Sequence, residues 1–231
     1  MTSPEFEVNL NKYAELIVKV GLNLQAGQRL VVLADIAAAP LVRLVAKQAY
    51  EAGCRLVDIL WDDEAVTLNR FVYAPRDSFE EFPEWKVNTV AEYGQRGDAL
   101  LSITSTNPDL LADQDPELIN IAQRVRAQKS RPYAELVSRS AMNWAIVGYA
   151  GAAWAAKVFP QSAPDQQVPQ LWDAIFDVCR IKHADPVAEW QQHIRNLDRR
   201  SDYLNAKRYA GLHYTGPGTG YSVLLTIPEG G

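Results

Sequence analysis

The sequence contains very little cysteine. Among 231 residues only Cys54 and Cys179 occur, far apart in the chain and outside any CxxC or CxxxC spacing. They predict two buried thiols in a reducing cytoplasm rather than a disulfide framework. A chain of this length can bury roughly 70% of the surface that it exposes when unfolded, so its core needs no covalent support.

Excess basic charge and long apolar runs are also missing. The formal net charge is −5 and the pI is near 5.3, so no basic field attracts a phosphate backbone, and we expect no nucleic-acid partner. No apolar run approaches the ~20 residues that span a bilayer. The N-terminal segment lacks the basic and then apolar pattern of a secretion signal. These absences predict a cytoplasmic protein without a membrane partner.

Motifs that carry chemistry are scarce as well. The three histidines, His183, His193 and His213, form no HExxH or other close pair, which favours structural or surface roles over metal ligation. No G-x-S-x-G nucleophile elbow occurs, and the sequence establishes no histidine partner for either cysteine. The four-residue spacing from Cys179 to His183 leaves a Cys–His pair open as an alternative.

What the sequence does contain is a regular alternation of apolar runs and amphipathic segments. Strands are predicted at residues 29–35, 55–61, 99–104 and 143–149. Helical spacing predicts helices at residues 9–24, 40–53, 64–73, 78–95, 116–128, 171–181 and 185–207. Residues 160–169 are rich in Pro, Gln and Ser, which is typical of a loop. This order predicts an α/β fold with a doubly wound, mostly parallel sheet flanked by helices.

The segment Gly216-Pro217-Gly218-Thr219-Gly220 could be read as a phosphate-binding loop or as a turn. A phosphate loop requires a lysine and a following helix, whereas this segment lies between two strand-like runs. The pattern therefore predicts a C-terminal hairpin with a Gly-Pro-Gly turn. We predict an α/β domain over residues 1–208, and a strand pair over residues 209–231 that begins a connection to a further domain.

In a doubly wound sheet, ligands bind beyond the carboxyl ends of the strands. Polar and aromatic residues follow three of the predicted strands, namely Asp35, the group at 61–63 and the loop at 104–109. The candidate substrate-side residues are Trp61, Asp62, Asp63, Ser105 and Asn107. The alternative is that Asp62 and Asp63 only cap the next helix.

Seven segments occur in an order that resembles a known family. They include NLNKYAELIVKVGLNLQAGQRLVV near the N-terminus, DALLSITSTNPDLL and NWAIVGYAGAAWAAKVFP in the middle, and LHYTGPGTG near the C-terminus. Together they resemble the N-terminal half of the thermophilic metallo-aminopeptidases, the aminopeptidase T and aminopeptidase S family. One position departs from that pattern, because Gly220 stands where the family usually has an aspartate.

The resemblance implies an enzyme that removes N-terminal amino acids from peptide substrates with two divalent metal ions of zinc or cobalt type. It also implies a homodimer, and metal ligands in a C-terminal domain that follows the resembling segment. We therefore expect no metal ligand and no catalytic residue on this chain, and we expect the chain alone to be a truncated, inactive part of the enzyme.

Two other interpretations remain open. The chain could be an autonomous α/β module that binds a small ligand at the rim around Trp61, Asp62 and Asn107. It could also be an interaction protein that pairs with a full-length aminopeptidase through its C-terminal strand, because an exposed strand edge recruits partners.

Overall fold

Four parallel strands form the central sheet. The structure is a computed structural model that describes residues 3–105 and 107–224. Strands β1 (Arg29–Asp35), β2 (Leu56–Asp62), β3 (Ala99–Thr104) and β4 (Asn143–Gly148) lie side by side in the order β2-β1-β3-β4. This arrangement confirms the predicted α/β fold with a mostly parallel sheet.

Helices connect and flank these strands. They are α1 (Pro4–Leu16), α2 (Ala39–Glu51), α3 (Glu64–Tyr73), α4 (Glu84–Gln95), α5 (Pro116–Ser138), α6 (Ala152–Val158), α7 (Pro164–Val178) and α8 (Pro186–Lys207). Short helical turns of other types occur at Ile17–Gly21, Ile36–Ala38 and Arg76–Glu80. Within the described residues, every helix is too short or too polar to cross a membrane.

The core lies on both faces of strand β1. Val31 packs with Leu100 of β3 against Val90 and Tyr93 of α4, and all four side chains are buried. Since side chains alternate along a strand, Leu30 and Val32 point to the other face, where helix α2 packs on β1. A strand buried on both faces is the pattern expected in a parallel sheet.

An aromatic cluster packs helix α1 against helix α7, beside the end of β4. Phe6 and Tyr13 of α1 contact Trp172 of α7, with ring centroids 5.5 and 6.3 Å apart. The Tyr13 hydroxyl donates to the carbonyl oxygen of Gly148 at 3.0 Å, and burial raises the pKa of this hydroxyl. The cluster therefore joins α1 and α7 to the end of β4.

Three predicted segments differ from the structure at a proline, and the predicted helix at 9–24 begins earlier, at Pro4, and ends as an α-helix at Leu16. The predicted helix at 78–95 is divided before Glu84, because the ψ of Pro83, 84°, lies outside the helical region. The predicted helix at 116–128 continues to Ser138 through Pro132. The predicted loop at 160–169 is wrong beyond Ala163, since Pro164 occupies the first helical position, where its missing N–H costs nothing.

The backbone divides into two compact units, Met1–Val187 and Ala188–Gly231. Most of α8 belongs to the second unit, together with the antiparallel strands β5 (Gly211–Gly216) and β6 (Thr219–Leu224). Gly218 has a φ of +76° between these strands, which confirms the predicted hairpin and its turn. Residues 225–231 of the predicted strand pair lie outside the described residues. The predicted boundary between residues 208 and 209 stays a prediction.

A buried ion pair holds the amino ends of β1 and β3 together. Asp98 is 5% exposed and accepts hydrogen bonds from the backbone N–H of Arg29 at 2.9 Å and from its Nε at 2.8 Å. Glu92 contacts the same guanidinium at 3.3 Å, but its side chain is 62% exposed. The Arg29 side chain also lies over the Tyr93 ring, 4.1 Å from its centroid.

Replacing Asp98 with alanine is expected to destabilise the first unit by about 3 kcal/mol, because the buried guanidinium of Arg29 loses its main counter-charge. Urea unfolding followed by tryptophan fluorescence would measure the change. The matched control is Glu92→Ala, which removes the exposed partner of the same arginine and should cost less than ~1 kcal/mol. Equal losses for the two variants would contradict this assignment.

Candidate functional site

The rim of the sheet at the carboxyl ends of the strands is the place where this fold can build a site. From β1 the chain crosses to β2 on one side and then to β3 on the other. The connections after β1 and β3 therefore run in opposite directions and leave a crevice between them. Asp35 ends β1 here, and its carboxylate accepts a hydrogen bond from the N–H of Ala37 at 2.8 Å, so it caps the next turn.

The carboxylates after β2 have separate roles. Asp63 caps α3, accepting from the N–H groups of Ala65 and Val66 at 2.8 and 3.3 Å. The Asp62 carboxylate instead forms an ion pair with Lys86 Nζ of α4 at 2.6 Å. Capping was therefore the right interpretation for Asp63, whereas Asp62 faces a cation that comes from another helix.

One tryptophan accompanies this ion pair. Trp85 directly precedes Lys86 and is exposed, and the Lys86 ammonium lies 5.9 Å from the centroid of its ring. Trp61 directly precedes Asp62 in β2 and is 38% exposed. Because side chains alternate along a strand, Trp61 points to the opposite face of the sheet from Asp62.

The loop after β3 is fixed from two sides. The backbone N–H of Asn107 donates to the carboxylate of Glu64 at the start of α3. The Asn107 side chain accepts from the N–H of Asp109 at 3.0 Å, and Asp109 pairs with Lys157 of α6 at 2.7 Å. Because the loop is bonded to both α3 and α6, Asn107 is held in place at the rim.

Ser105 is the first residue of this loop, and its backbone lies close to that of Gly151. Its side chain is buried, and the N–H of Tyr149 donates to the carbonyl of Thr104 at 2.8 Å. A Cβ on Gly151 would lie 2.6 Å from the Ser105 carbonyl oxygen, so only glycine fits there. Burial raises the pKa of the Tyr149 hydroxyl in the same region.

The rim continues to the start of α5 through a further charged group. Arg76 donates to the Asp115 carboxylate at 2.6 Å and also contacts Glu117. The Arg76 guanidinium and the N–H of Glu117 lower the pKa of Asp115. These groups are exposed and serve mainly to fix the start of α5.

The structure does not bring the five candidate residues into one group. Asp62 lies with Lys86, Ser105 and Asn107 lie in the fixed loop, and Glu64 links that loop to the helix that Asp63 caps. Trp61 points to the opposite face of the sheet from Asp62. Lys86, Lys157 and Gly151 were not predicted from the sequence. Their partners are 24, 48 and 46 residues away along the chain, so no local motif could have revealed them.

Nearly the whole chain is similar to proteins of one known family. A family model described as thermophilic metalloprotease (M29) matches residues 6–227. The chain belongs to the M29 family. Similar proteins include Aminopeptidase 2 of Geobacillus stearothermophilus, 43% identical over 220 residues, and Aminopeptidase T of Thermus thermophilus, 37% identical over 225 residues. A solved structure, wild-type AmpT from Thermus thermophilus, superimposes with a TM-score of 0.86 at 36% identity.

The alignments cover nearly all of this chain but only about half of each M29 relative. The alignments cover 95% and 97% of this chain but 53% and 55% of Aminopeptidase 2 and Aminopeptidase T. The AmpT structure gives the same result, with 95% of this chain and 54% of that chain covered. This M29 chain therefore spans about half the length of the relatives that it matches.

An M29 metalloprotease implies divalent metal ions, so we tested whether the described residues fit them. Over residues 3–105 and 107–224, no group of three or more His, Cys, Asp or Glu side chains could hold a metal ion. The His193 ring packs edge-on against Trp190 at 5.5 Å, and His213 Nδ1 lies 2.7 Å from the Ser222 hydroxyl oxygen. The described part of this M29 chain does not fit the metal ions, and we derive no catalytic step through them.

The close contact between Gly151 and the Ser105 carbonyl oxygen predicts the effect of a substitution. Gly151→Ala should destabilise the first unit by about 2 kcal/mol, because the added methyl group must displace backbone at Ser105. Urea unfolding would measure the loss. The control is Gly21→Ala, whose added Cβ would meet the Ala145 Cβ at 3.8 Å and the Leu16 carbonyl oxygen at 4.0 Å, both ordinary contact distances. A Gly151→Ala variant as stable as the control would show that the loop is not tightly packed.

Proposed function

We propose that this chain is the N-terminal domain of a metal-dependent aminopeptidase that hydrolyses N-terminal amino acids from peptides. The observation that carries the proposal is its similarity to aminopeptidases along nearly its whole length. Aminopeptidase 2, AmpS of Bacillus subtilis and Aminopeptidase T are 43%, 38% and 37% identical over at least 95% of the chain. Similarity at this level along one continuous stretch favours a shared role in the complete protein.

The metal ligands, in this proposal, belong to the part of the relatives that the chain does not match. Two observations support this division: the chain matches about half of each relative, and its described residues hold no metal-binding group. Metal-assisted hydrolysis needs an ion, of zinc or cobalt type here, to activate water and polarise the peptide carbonyl. We therefore propose that the chain alone is inactive.

The rim is the part of this chain that we propose to face the peptide. Trp61 offers an exposed aromatic surface at the end of β2, and Asp62 and Lys86 offer one charge of each sign on the other face of the sheet. Asn107 is bonded to Glu64 of α3 and to Asp109 of its own loop, and Asp109 pairs with Lys157 of α6, so the position of Asn107 does not depend on a ligand. Rigid positioning is what a substrate-binding surface needs, because ordering it on binding would cost affinity.

Two further parts of the proposal concern the setting of the complete enzyme, namely a cytoplasmic location and a homodimer. Cys54 and Cys179 are both thiols outside any disulfide, which supports a reducing compartment. Cys54 is buried as predicted, whereas Cys179 is only partly buried. Burial also raises the pKa of both thiols, so they remain protonated and unreactive at neutral pH.

The activity test compares this chain with a chimera in which the unmatched part of Aminopeptidase 2 follows Gly231. Both would be assayed on leucine and other aminoacyl chromogenic substrates with added cobalt or zinc. The chimera should hydrolyse the substrates, and the 231-residue chain should not. Metal-dependent hydrolysis by the chain itself would contradict the proposed location of the ligands and turn attention to His183, His193 and the carboxylates at 62–64.

The rim is tested in the chimera with Trp61→Ala. We expect KM for peptide substrates to rise about 5- to 10-fold with little change in kcat, because a binding surface and not a reacting group is lost. The matched control is Trp144→Ala, which removes a tryptophan of similar exposure, 43% against 38%, from the other end of a strand. Equal increases in KM for the two variants would contradict the proposal that the rim faces the peptide.

A further inference from the structure

Helix α8 gathers its basic residues on one side. Along the sequence the charges are mixed, because Asp198 and Asp202 stand among the basic residues. On a helix with 3.6 residues per turn, four cations fall within an arc of about 140°. They are exposed, and they are Arg195, Arg199, Arg200 and Lys207. We call these four residues the α8 basic face.

The α8 basic face is separate from the apolar residues of the helix. Ile194, Leu197 and Leu204 lie on the opposite side, and Asp198 and Asp202 lie along one border of the basic face. The cations are therefore not a polar border around an apolar contact. A contact that covers the apolar side leaves the basic face accessible.

No carboxylate balances the charge of the α8 basic face within the described part of the chain. Most basic side chains of the first unit pair with a carboxylate, as Lys19, Arg76 and Lys157 do. None of the four cations on α8 forms an ion pair with a described residue. The face is thus a patch of uncompensated positive charge on a chain whose formal net charge is −5. Such a patch attracts an anionic partner.

Uncharged neighbours orient the cations of the face. The Arg199 guanidinium donates to the side-chain oxygen of Asn196, and the Lys207 ammonium lies 5.4 Å from the centroid of the Tyr203 ring. An open groove of about 380 Å³ is lined by Asn196, Arg199, Arg200 and Tyr203. Because a guanidinium group has five N–H donors, the arginines keep donors for a ligand.

The dimensions of the face fit an extended acidic peptide. From Arg195 to Lys207 the helix rises about 18 Å, the length of about five to six extended residues. Arg195 and Arg199 are separated by about 6 Å along the axis, close to the ~6.6 Å between alternate residues of an extended chain. Guanidinium groups bind carboxylates through two parallel hydrogen bonds. A long nucleic acid would extend beyond the face onto an acidic chain, so a short acidic segment fits better.

We propose that the α8 basic face binds acidic segments of peptides, with the guanidinium groups donating to Asp and Glu carboxylates at alternate peptide positions. The inference rests on the proposed function only in that a peptidase encounters peptides. It implies that the complete enzyme favours substrates with acidic residues beyond the N-terminal one. Binding depends on residues of this chain, so it can be measured without activity.

An NMR titration of the isotope-labelled chain tests the proposal. The probe is a hexapeptide that alternates alanine and glutamate. The backbone amides of residues 195–207 and the Nε groups of the three arginines should shift as the peptide is added. The same peptide with glutamine in place of glutamate should cause no shift, because it offers no negative side chain.

Paired substitutions locate the binding on the face. Arg199→Gln together with Arg200→Gln should raise Kd about 5-fold, since each exposed ion pair contributes modestly. Arg199→Lys with Arg200→Lys should retain most of the affinity, because the charge is kept. The matched control is Arg124→Gln with Arg126→Gln in α5, which removes the same charge from two other exposed arginines and should leave Kd unchanged.

Four results would overturn the proposal. The first is an equal shift with the glutamine peptide, and the second is an equal rise in Kd for the two glutamine double variants. The third is tighter binding of a single-stranded oligonucleotide of the same charge, which would assign the face to nucleic acid. The fourth is loss of the shifts in the chimera with the unmatched part of Aminopeptidase 2, which would mean that this part covers the face. An inactive chimera that still binds the glutamate peptide would contradict the proposed function and support the basic face.

Discussion

The burial of strand β1 on both faces is the constraint on which the rest of this structure depends. Leu30, Val31 and Val32 are completely removed from solvent, and β1 forms hydrogen bonds with a neighbour on each side. Helices must therefore cover both faces, and the connections after β1 and β3 run in opposite directions. That reversal creates the crevice at the carboxyl ends of β1 and β3, where this fold can form a site.

Polar groups at the two ends of the sheet serve different purposes. At the amino ends, the buried pair of Arg29 and Asp98 joins two strands. At the carboxyl ends, the charges of Asp62, Lys86 and Asp109 remain accessible and fix loops instead of strands. One end of the sheet is therefore suited to stability, and the other can contact a ligand while its backbone stays in place.

The two units differ in how far they are self-sufficient. The first unit has a sheet with covered faces and an aromatic cluster around Tyr13 and Trp172, so it accounts for its own stability. The second unit consists of an amphipathic helix and an amphipathic hairpin whose apolar sides are both exposed.

The sequence by itself determined the strands, the fold class and the family. Apolar runs such as that from Arg29 to Asp35 are local signals, and the order of the segments follows from them. Prolines were the exception: Pro83, Pro132 and Pro164 have different effects according to their position in a helix, which local pattern alone does not reveal.

Only the tertiary structure decided which side chains meet at the rim. Asp62 and Asp63 are adjacent in sequence, yet one pairs with Lys86 and the other caps a helix. The contact of Gly151 with Ser105 depends on β3 and β4 lying side by side. Such contacts join residues that are distant along the chain, so they follow from the packing of the elements and cannot be read from the spacing within any one of them.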